Sequence, residues 1–534
     1  MPQRKLSQNI VGSWSKSDFD LVNQADTVNL YVDKNGQQEY LTSETSSLRS
    51  IKGSSVFIDI DDKKRPCRGL FVASRGFLDV PILYCVFGSS LYCVYSDKFG
   101  NKRSIKIYDG LSENIEKVSF CENGGQTKET AYVFLVDGVN VYCIPNRLDP
   151  LQQEQELFKP NLPITVEDKR TIRPTHCAYL YNYLVVNDAN TDAFYISYQY
   201  PLEQKLPKYD DTGTVIVDSE GNIEYEDSIS KDIFQVDYGH LYYNTGFITY
   251  SEWKPDITNA LVSNGTYLYT FGPESVQIFN YTSEVDNPFK SPTNGANGIG
   301  CRAPNSVVSI GDSIFFLGSS SEINSGIYHY VNNALTKVSD STLERHLNEL
   351  EDITDGVGQA WQEDGHLFYA ITFSKANKTF VYDATTGLWH RRESRSNKWA
   401  LSNVVQFEGE ICFGTNDGVI AVLDASRNTE YDGSPIVRRR VSGAMIAERE
   451  LFSMDELRLF VDTDRKKGTL NIRYRYADSN WSSWESIDTG TDHLNKLSIW
   501  NLGVSDMFTV EMSYSNDTPF AILGGEIKFS IIDV

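Results

Sequence analysis

An all-β architecture is the fold class this 534-residue sequence predicts: a β-propeller of about seven blades, with six or eight as alternatives, followed by a β-sandwich-like domain. Three observations point there. A strand–turn–strand word recurs along the chain, with glycines at Gly88, Gly138, Gly265, Gly311, Gly365 and Gly409. Apart from a longer gap of 127 residues between Gly138 and Gly265, their spacing runs from about 44 to 54 residues, the interval of propeller blades. Aromatic residues make up 12% of the chain, with 31 Tyr and 27 Phe, which favours strands over helices. Finally, Glu363 to Arg392 reads as a meander of short antiparallel strands. Leu367, Tyr369, Ile371 and Phe373 alternate with His366, Phe368, Ala370 and Thr372, the Asp364-Gly365 and Thr385-Thr386-Gly387 turns punctuate the run, and a new strand starts at Leu388.

Residues 1–50 are polar, with one strand-like word, Val28 to Val32, and read as an arm and closing strand. Residues 51–428 carry the repeats and are expected to form the propeller. Leu180 to Val186 is a weaker copy of the word that lacks its glycine. Residues 201–255 are acidic and Tyr-rich, hold a hairpin signal at Ser219 to Asn222, and read as an insertion or, less readily, a divergent blade. One helix interrupts the pattern: Asp340-Ser341 caps a run with Leu343, His346, Leu347 and Leu350 on one face and Glu344 in the first turn. Residues 429–442 read as a linker containing Arg438-Arg439-Arg440. Residues 443–534 alternate as longer strands and predict a separate β-sandwich-like domain.

Composition bounds the function. There are 49 basic and 72 acidic residues, a net charge of −23, which argues against general binding to nucleic-acid phosphates. No apolar run is long enough to span a membrane, and the start has no apolar core of a secretory signal. The eight cysteines form no CxxC pair and sit in apolar strand words, so buried free thiols are expected.

The sequence offers no reaction. It lacks a P-loop, a dinucleotide fingerprint, HExxH and GxSxG. His366 and His390 could approach one another across a hairpin, but nothing supplies a third metal ligand. Ala477 to Trp484 faintly resembles the Asp-box turn of sialidases, yet occurs once, lacks the glycine and lies outside the repeats. The three consecutive arginines suit phosphate contact, but in so acidic a chain an acidic neighbour is the better partner. No catalytic, cofactor-binding or metal-ligating residue is assigned, and no cofactor is expected.

Four stretches carry a family resemblance: Thr27 to Val32 (TVNLYV), Leu268 to Asn280 (LYTFGPESVQIFN), Gly298 to Gly318 (GIGCRAPNSVVSIGDSIFFLG) and Gly365 to Arg391 (GHLFYAITFSKANKTFVYDATTGLWHR). In these the chain resembles the packaged-DNA stabilisation, or tail hub, proteins of short-tailed double-stranded DNA phages. The resemblance implies a non-enzymatic structural virion protein in the viral tail, assembled in the host cytoplasm. It implies a homohexameric ring below the portal that binds the portal-adaptor proteins, retains packaged DNA, and forms a platform for tail needle, spike or fibre proteins. DNA is expected to pass through the ring without specific binding. The alternative is a carbohydrate-active or glycan-binding propeller on a phage tail, with carboxylates and aromatics at its axial mouth.

Overall fold

The computed structural model describes residues 4–8, 10–14, 25–34, 46–74, 81–123, 131–145, 169–197, 210, 214–219, 221–222, 224, 256–284, 288–292, 295–446, 451–477 and 479–532. Its strands form a propeller of small antiparallel sheets and a sandwich beside it. No helix among these residues is long and apolar enough to cross a membrane.

Seven sheets make the ring. Blade 1 is built on Cys67–Ala73, Ile82–Phe87, Ser90–Ser96 and Lys102–Asp109; blade 2 on Ser119–Glu122, Tyr132–Val136 and Val141–Pro145; blade 3 on Cys177–Leu180, Tyr183–Asn187 and Phe194–Ile196. Blade 4 comprises Ala260–Asn264, Tyr267–Phe271, Val276–Tyr281 and Phe289–Lys290; blade 5 comprises Val308–Ile310, Ser313–Ser319, Gly326–Val331 and Ala334–Lys337. Blade 6 comprises Gly356–Glu363, His366–Phe373, Lys378–Asp383 and Leu388–Arg391. Blade 7 combines Ser402–Phe407, Glu410–Gly414 and Val419–Asp424 with Gly53–Asp59 from the other end of the chain.

The first strand of each blade abuts the first strand of the next, and that of blade 7 abuts that of blade 1, so the ring is closed. Each of the seven junctions has its own apolar core. Tyr84, Leu135 and Tyr142 fill the junction of blades 1 and 2; Phe194, Leu268 and Phe279 fill that of blades 3 and 4; Phe87, Leu83 and Phe407 fill that of blades 7 and 1. Blades 3 and 4 therefore pack directly on one another, with no blade between them. Most of 201–255 lies outside the described residues. The described part holds a turn in which the Asp218 and Asn222 backbones pair, with Gly221 at φ +86°.

The repeated glycines occupy two kinds of corner. Gly265, Gly311, Gly365 and Gly409 join the first and second strands of blades 4 to 7, whereas Gly88 and Gly138 join the second and third strands of blades 1 and 2. All six have positive φ, which a two-residue hairpin turn of this hand requires. In blade 3 the first corner is Tyr181-Asn182, at φ +50° and +67°, so an asparagine serves where the word lacks its glycine.

The helix, α1 (Ser341–Asn348), connects blades 5 and 6. Asp340 caps it by accepting from the Leu343 N–H at 2.8 Å, and Leu343, His346 and Leu347 are buried against Trp14 and Phe380.

The N-terminal segment differs from its expectation. The closing strand is Gly53–Asp59, just past residue 50, and the strands before it belong to the sandwich. Arg4–Gln8 and Ser47–Ser50 pair with Ala521–Ile532, and Leu30–Asp33 pairs with Ser47–Ser50. Together with Leu451–Asp462 and Asn495–Ser505 they form one layer of the sandwich. The other layer contains Arg438–Val441, Met507–Tyr514, Thr469–Tyr476 and Glu485–Asp488. It is continuous with blade 6 through Asp26–Val28, which pairs with Leu388–Arg391 on one side and Arg438–Val441 on the other. Asn29, at φ +56°, turns the chain from one layer to the other. Its side-chain amide donates to the Glu393 and Val437 carbonyls at 2.9 Å each and accepts from the Glu393 N–H at 3.0 Å.

Candidate functional site

The inner strands converge on the propeller axis around a cavity of about 330 Å³. Every blade contributes to its wall: Leu70 and Phe71, Val118 and Phe120, His176, Leu261 and Val262, Ile310, Gly358, and Asn403 stand in order from blade 1 to blade 7. The wall mixes apolar and uncharged polar side chains, with Phe71 and Phe120 stacked at 5.6 Å. A second cavity of about 460 Å³ forms the mouth, lined by Arg65, Arg68, Lys117 and Lys398 with Glu113 and Glu116.

Lys117 belongs to both cavities and closes the channel. Its backbone is fixed at the entry to blade 2, where the next residue's N–H donates to the Arg68 carbonyl at 2.9 Å. Its ammonium reaches across the lumen to donate to the Gly358 carbonyl of blade 6 at 3.0 Å. Burial pulls the Lys117 amine down to about 8. On the same lumen, burial lowers His176 to about 4; the Lys117 charge adds to this and the Pro304 carbonyl opposes it. No carboxylate is among the described residues lining the inner cavity. A lumen crossed by a hydrogen bond between blades 2 and 6 cannot admit a DNA duplex.

The two arginines of the mouth are committed to structure. Arg68 is buried and donates to the carbonyls of Gly88 (2.8 Å) and Ile115 (2.6 Å). Arg65 is paired with Asp61 at 2.9 Å. Burial raises Asp61, but hydrogen bonds from Arg65 and Tyr92 overcome this and hold it at about 2.

His366 and His390 do come near one another, around Tyr31, whose ring lies 5.1 Å from His366 and 6.4 Å from His390. They do not form a metal site: His366 Nδ1 is 2.7 Å from Asp383, and no metal-binding cluster occurs among the described residues. Beside them is a group the sequence did not announce. Arg392 is fully buried, its guanidinium 4.8 Å from the Trp361 ring, 4.7 Å from Trp399 and 5.2 Å from Phe368, with Glu363 at 3.7 Å.

The arginine triplet is structural. Arg438 is buried and donates to Ser50 and to the carbonyls of Asn516 and Asn428; Arg440 is buried and donates to those of Ile10 and Ser13 and to Thr27. Only Arg439 takes the expected acidic partner, Asp26 at 3.2 Å. The Asp-box-like segment folds back on its own strand, with the Ser479 and Ser482 hydroxyls accepting from the Tyr476 and Tyr474 N–H groups. Trp481 and Trp484 stack on Arg473 at 4.9 and 4.4 Å. All eight cysteines are free, and burial pushes Cys67, Cys93, Cys301 and Cys412 up to about 12, so these thiols are inert. Lys117 escaped sequence reasoning because SENIEKVSF looks like any polar turn entering a strand; only ring closure turns it inward.

Residues 241–428 match the family model described as Bacteriophage P22 Gp10, beta-propeller. No curated protein matches the chain. Among solved structures, a catalytically inactive virginiamycin B lyase from Staphylococcus aureus is similar at 11% identity and TM-score 0.37, covering 68% of this chain and 97% of its own. A structure of a humanized mutant of Chaetomium thermophilum Polycomb Repressive Complex 2 bound to an inhibitor gives 10% identity and TM-score 0.36, with 70% and 97% covered. An exo-beta-1,3-galactanase from Phanerochaete chrysosporium with galactose gives 9% identity and TM-score 0.23, with 89% and 99% covered.

Proposed function

We infer, from the membership of residues 241–428 in the phage DNA-stabilisation family, that this protein is a subunit of a tail hub ring below the portal and its adaptor. In this reading it is a rigid part of the virion and performs no reaction. The observation that carries it is the family match falling on blades of a closed ring whose last blade is completed by the N-terminal strand Gly53–Asp59. Such closure leaves few open sheet edges inside the propeller, which suits a component that must hold its shape under load.

In this reading any DNA path lies on the axis of an assembled ring of subunits, since Lys117 crosses the propeller's own lumen, and the net charge of −23 disfavours gripping the duplex that passes. Contacts to neighbours fall on exposed apolar groups. Trp500 and Val504 stand 58% and 48% exposed on Asn495–Ser505, which is an edge strand of its layer, and Phe99 projects from blade 1.

Electron microscopy of the purified chain, alone and mixed with portal and adaptor proteins, tests the reading. A six-fold ring, or co-migration with the portal complex, is expected. A chain that stays monomeric and fails to join that complex at micromolar concentration refutes it. Cleavage of a glycan by the same preparation, abolished by changing Glu113 and Glu116, would instead establish the carbohydrate-active reading.

A further inference from the structure

The propeller axis holds an ammonium that no carboxylate among the described residues of the inner cavity balances. Lys117 has three N–H donors, and one is used, by the Gly358 carbonyl at 3.0 Å. Burial alone accounts for its lowered affinity for protons, and no neighbouring carboxylate counters it. Glu113 and Glu116 line the mouth cavity with Lys117 and are exposed, and no ion pair joins either of them to the amine among the described residues. The lumen also holds another base, His176, whose charged form burial disfavours first and the Lys117 amine second. Cys177 also lines this cavity, and the remaining wall mixes apolar side chains with uncharged polar ones such as Ser119, Thr175, Gln359 and Asn403.

Lys117 is partly buried, and a desolvated cation without an ion-pair partner is costly, a cost that proteins relieve by deprotonation or by pairing. Here the amine opens onto a cavity of about 330 Å³ that adjoins the mouth, which is the size of a small-ligand pocket. We propose that the axial channel is a binding site for a small oxyanion, a carboxylate or a phosphate, held by the Lys117 ammonium across the lumen from blade 2 to blade 6. An anion seated there takes the unused donors of Lys117 and offsets the Lys117 charge, which adds to burial in keeping His176 neutral. The site lies within the propeller, so the inference stands apart from the virion reading and can hold or fail independently of it.

The test uses the full chain at pH 7 and constant ionic strength, in sodium chloride, sodium phosphate or sodium acetate. Thermal unfolding is followed for the native protein and for Lys117→Met and Lys117→Arg. The native midpoint is expected to rise in phosphate or acetate over chloride, and the salt that raises it identifies the source of the oxyanion. Lys117→Met should lose that rise, and Lys117→Arg should keep part of it.

A second readout needs no variant. Competitive acylation of the amines, read by mass spectrometry across pH, gives the titration of Lys117 in the native protein. The effective salt should move that titration up by about one pH unit, a tenfold change in proton affinity. The proposal is overturned if neither salt moves the Lys117 titration, or if Lys117→Met responds to both salts as the native protein does. In either case the lysine is a strut across the lumen and nothing more.

Discussion

Replacing Glu363 by Gln tests whether the Arg392 cage depends on its counter-charge or on its rings. Both side chains are 1% exposed and their charged ends lie 3.7 Å apart. The substitution keeps the shape and one carbonyl acceptor for the Trp361 indole N–H, which donates to Glu363 at 3.1 Å, and replaces the carboxylate by a neutral amide, which also takes the counter-charge from Lys52 at 3.8 Å. Breaking a buried ion pair by losing one partner costs about 3–5 kcal/mol, because the other charge stays desolvated. Three aromatic faces within about 5 Å offset part of this, since a desolvated cation–π contact contributes about 2 kcal/mol. We therefore expect Glu363→Gln to cost about 3 kcal/mol, the lower end of the range. Replacing both partners together, as Glu363→Leu with Arg392→Met, should cost less than Glu363→Gln alone, because no charge is left buried. Urea unfolding followed by tryptophan fluorescence is the assay, as Trp361 and Trp399 form two walls of the cage. A loss below about 1 kcal/mol for Glu363→Gln would show that the rings alone hold the cation and would refute the argument from charge pairing.

Further expectations concern closure of the ring and its attachment to the sandwich. Asp61 is held at about 2 in the folded state, below its ordinary value of 3.8, so its contribution is complete above about pH 5 and disappears as pH falls toward 2. Asp61→Asn should thus cost roughly 2 kcal/mol at pH 7, and the gap from the native protein should close in urea titrations taken between pH 5 and pH 2. Gly418→Ala places a Cβ 2.4 Å from the Asp61 carbonyl at φ +83°, whereas Gly365→Ala at φ +84° meets open space. The second should cost about 1 kcal/mol from backbone strain and the first clearly more, a ranking that unfolding midpoints will show. Leu30→Ala empties a fully buried position in the sandwich core and should cost about 2–5 kcal/mol, with earlier proteolysis of 443–532 than of the blades.

The blades were legible in the sequence because their corners are chemical. Gly265, Gly311, Gly365 and Gly409 need positive φ, and the strands they join alternate with period two. The same logic misassigned phase, since Gly88 and Gly138 satisfy the identical turn requirement one corner later in their blades. Tyr181-Asn182 makes the corner without any glycine, which is why blade 3 was the faint copy. Long-range pairing left no local mark. Nothing in Gly53–Asp59 says that its partner is Val419–Asp424, and Arg4–Gln8 reads as a polar arm although it pairs with Ala521–Ile532. Lys117 was invisible for the same reason: it becomes a channel residue only when the seven inner strands meet.

The joint between propeller and sandwich is where the fold departs most from a pair of bodies on a tether. A linker around Arg438-Arg439-Arg440 would leave the two free to reorient. Instead Arg438–Val441 is a strand hydrogen-bonded on both sides, to Asp26–Val28 and to Met507–Tyr514. Arg440 then ties three carbonyl and hydroxyl groups of the N-terminal segment to that strand, and Asn29 ties the same segment to Glu393 at the edge of blade 6. Turning the sandwich against the ring must break a continuous backbone ladder and expose two buried guanidinium groups, each leaving carbonyls without their donors. The N-terminal segment that holds this joint also continues into the strand that closes blade 7, so loosening the joint and opening the ring are mechanically coupled. The ring of subunits proposed above would require a part that keeps its own angle as well as its own shape, because a small error in angle at each subunit would prevent the circle from closing.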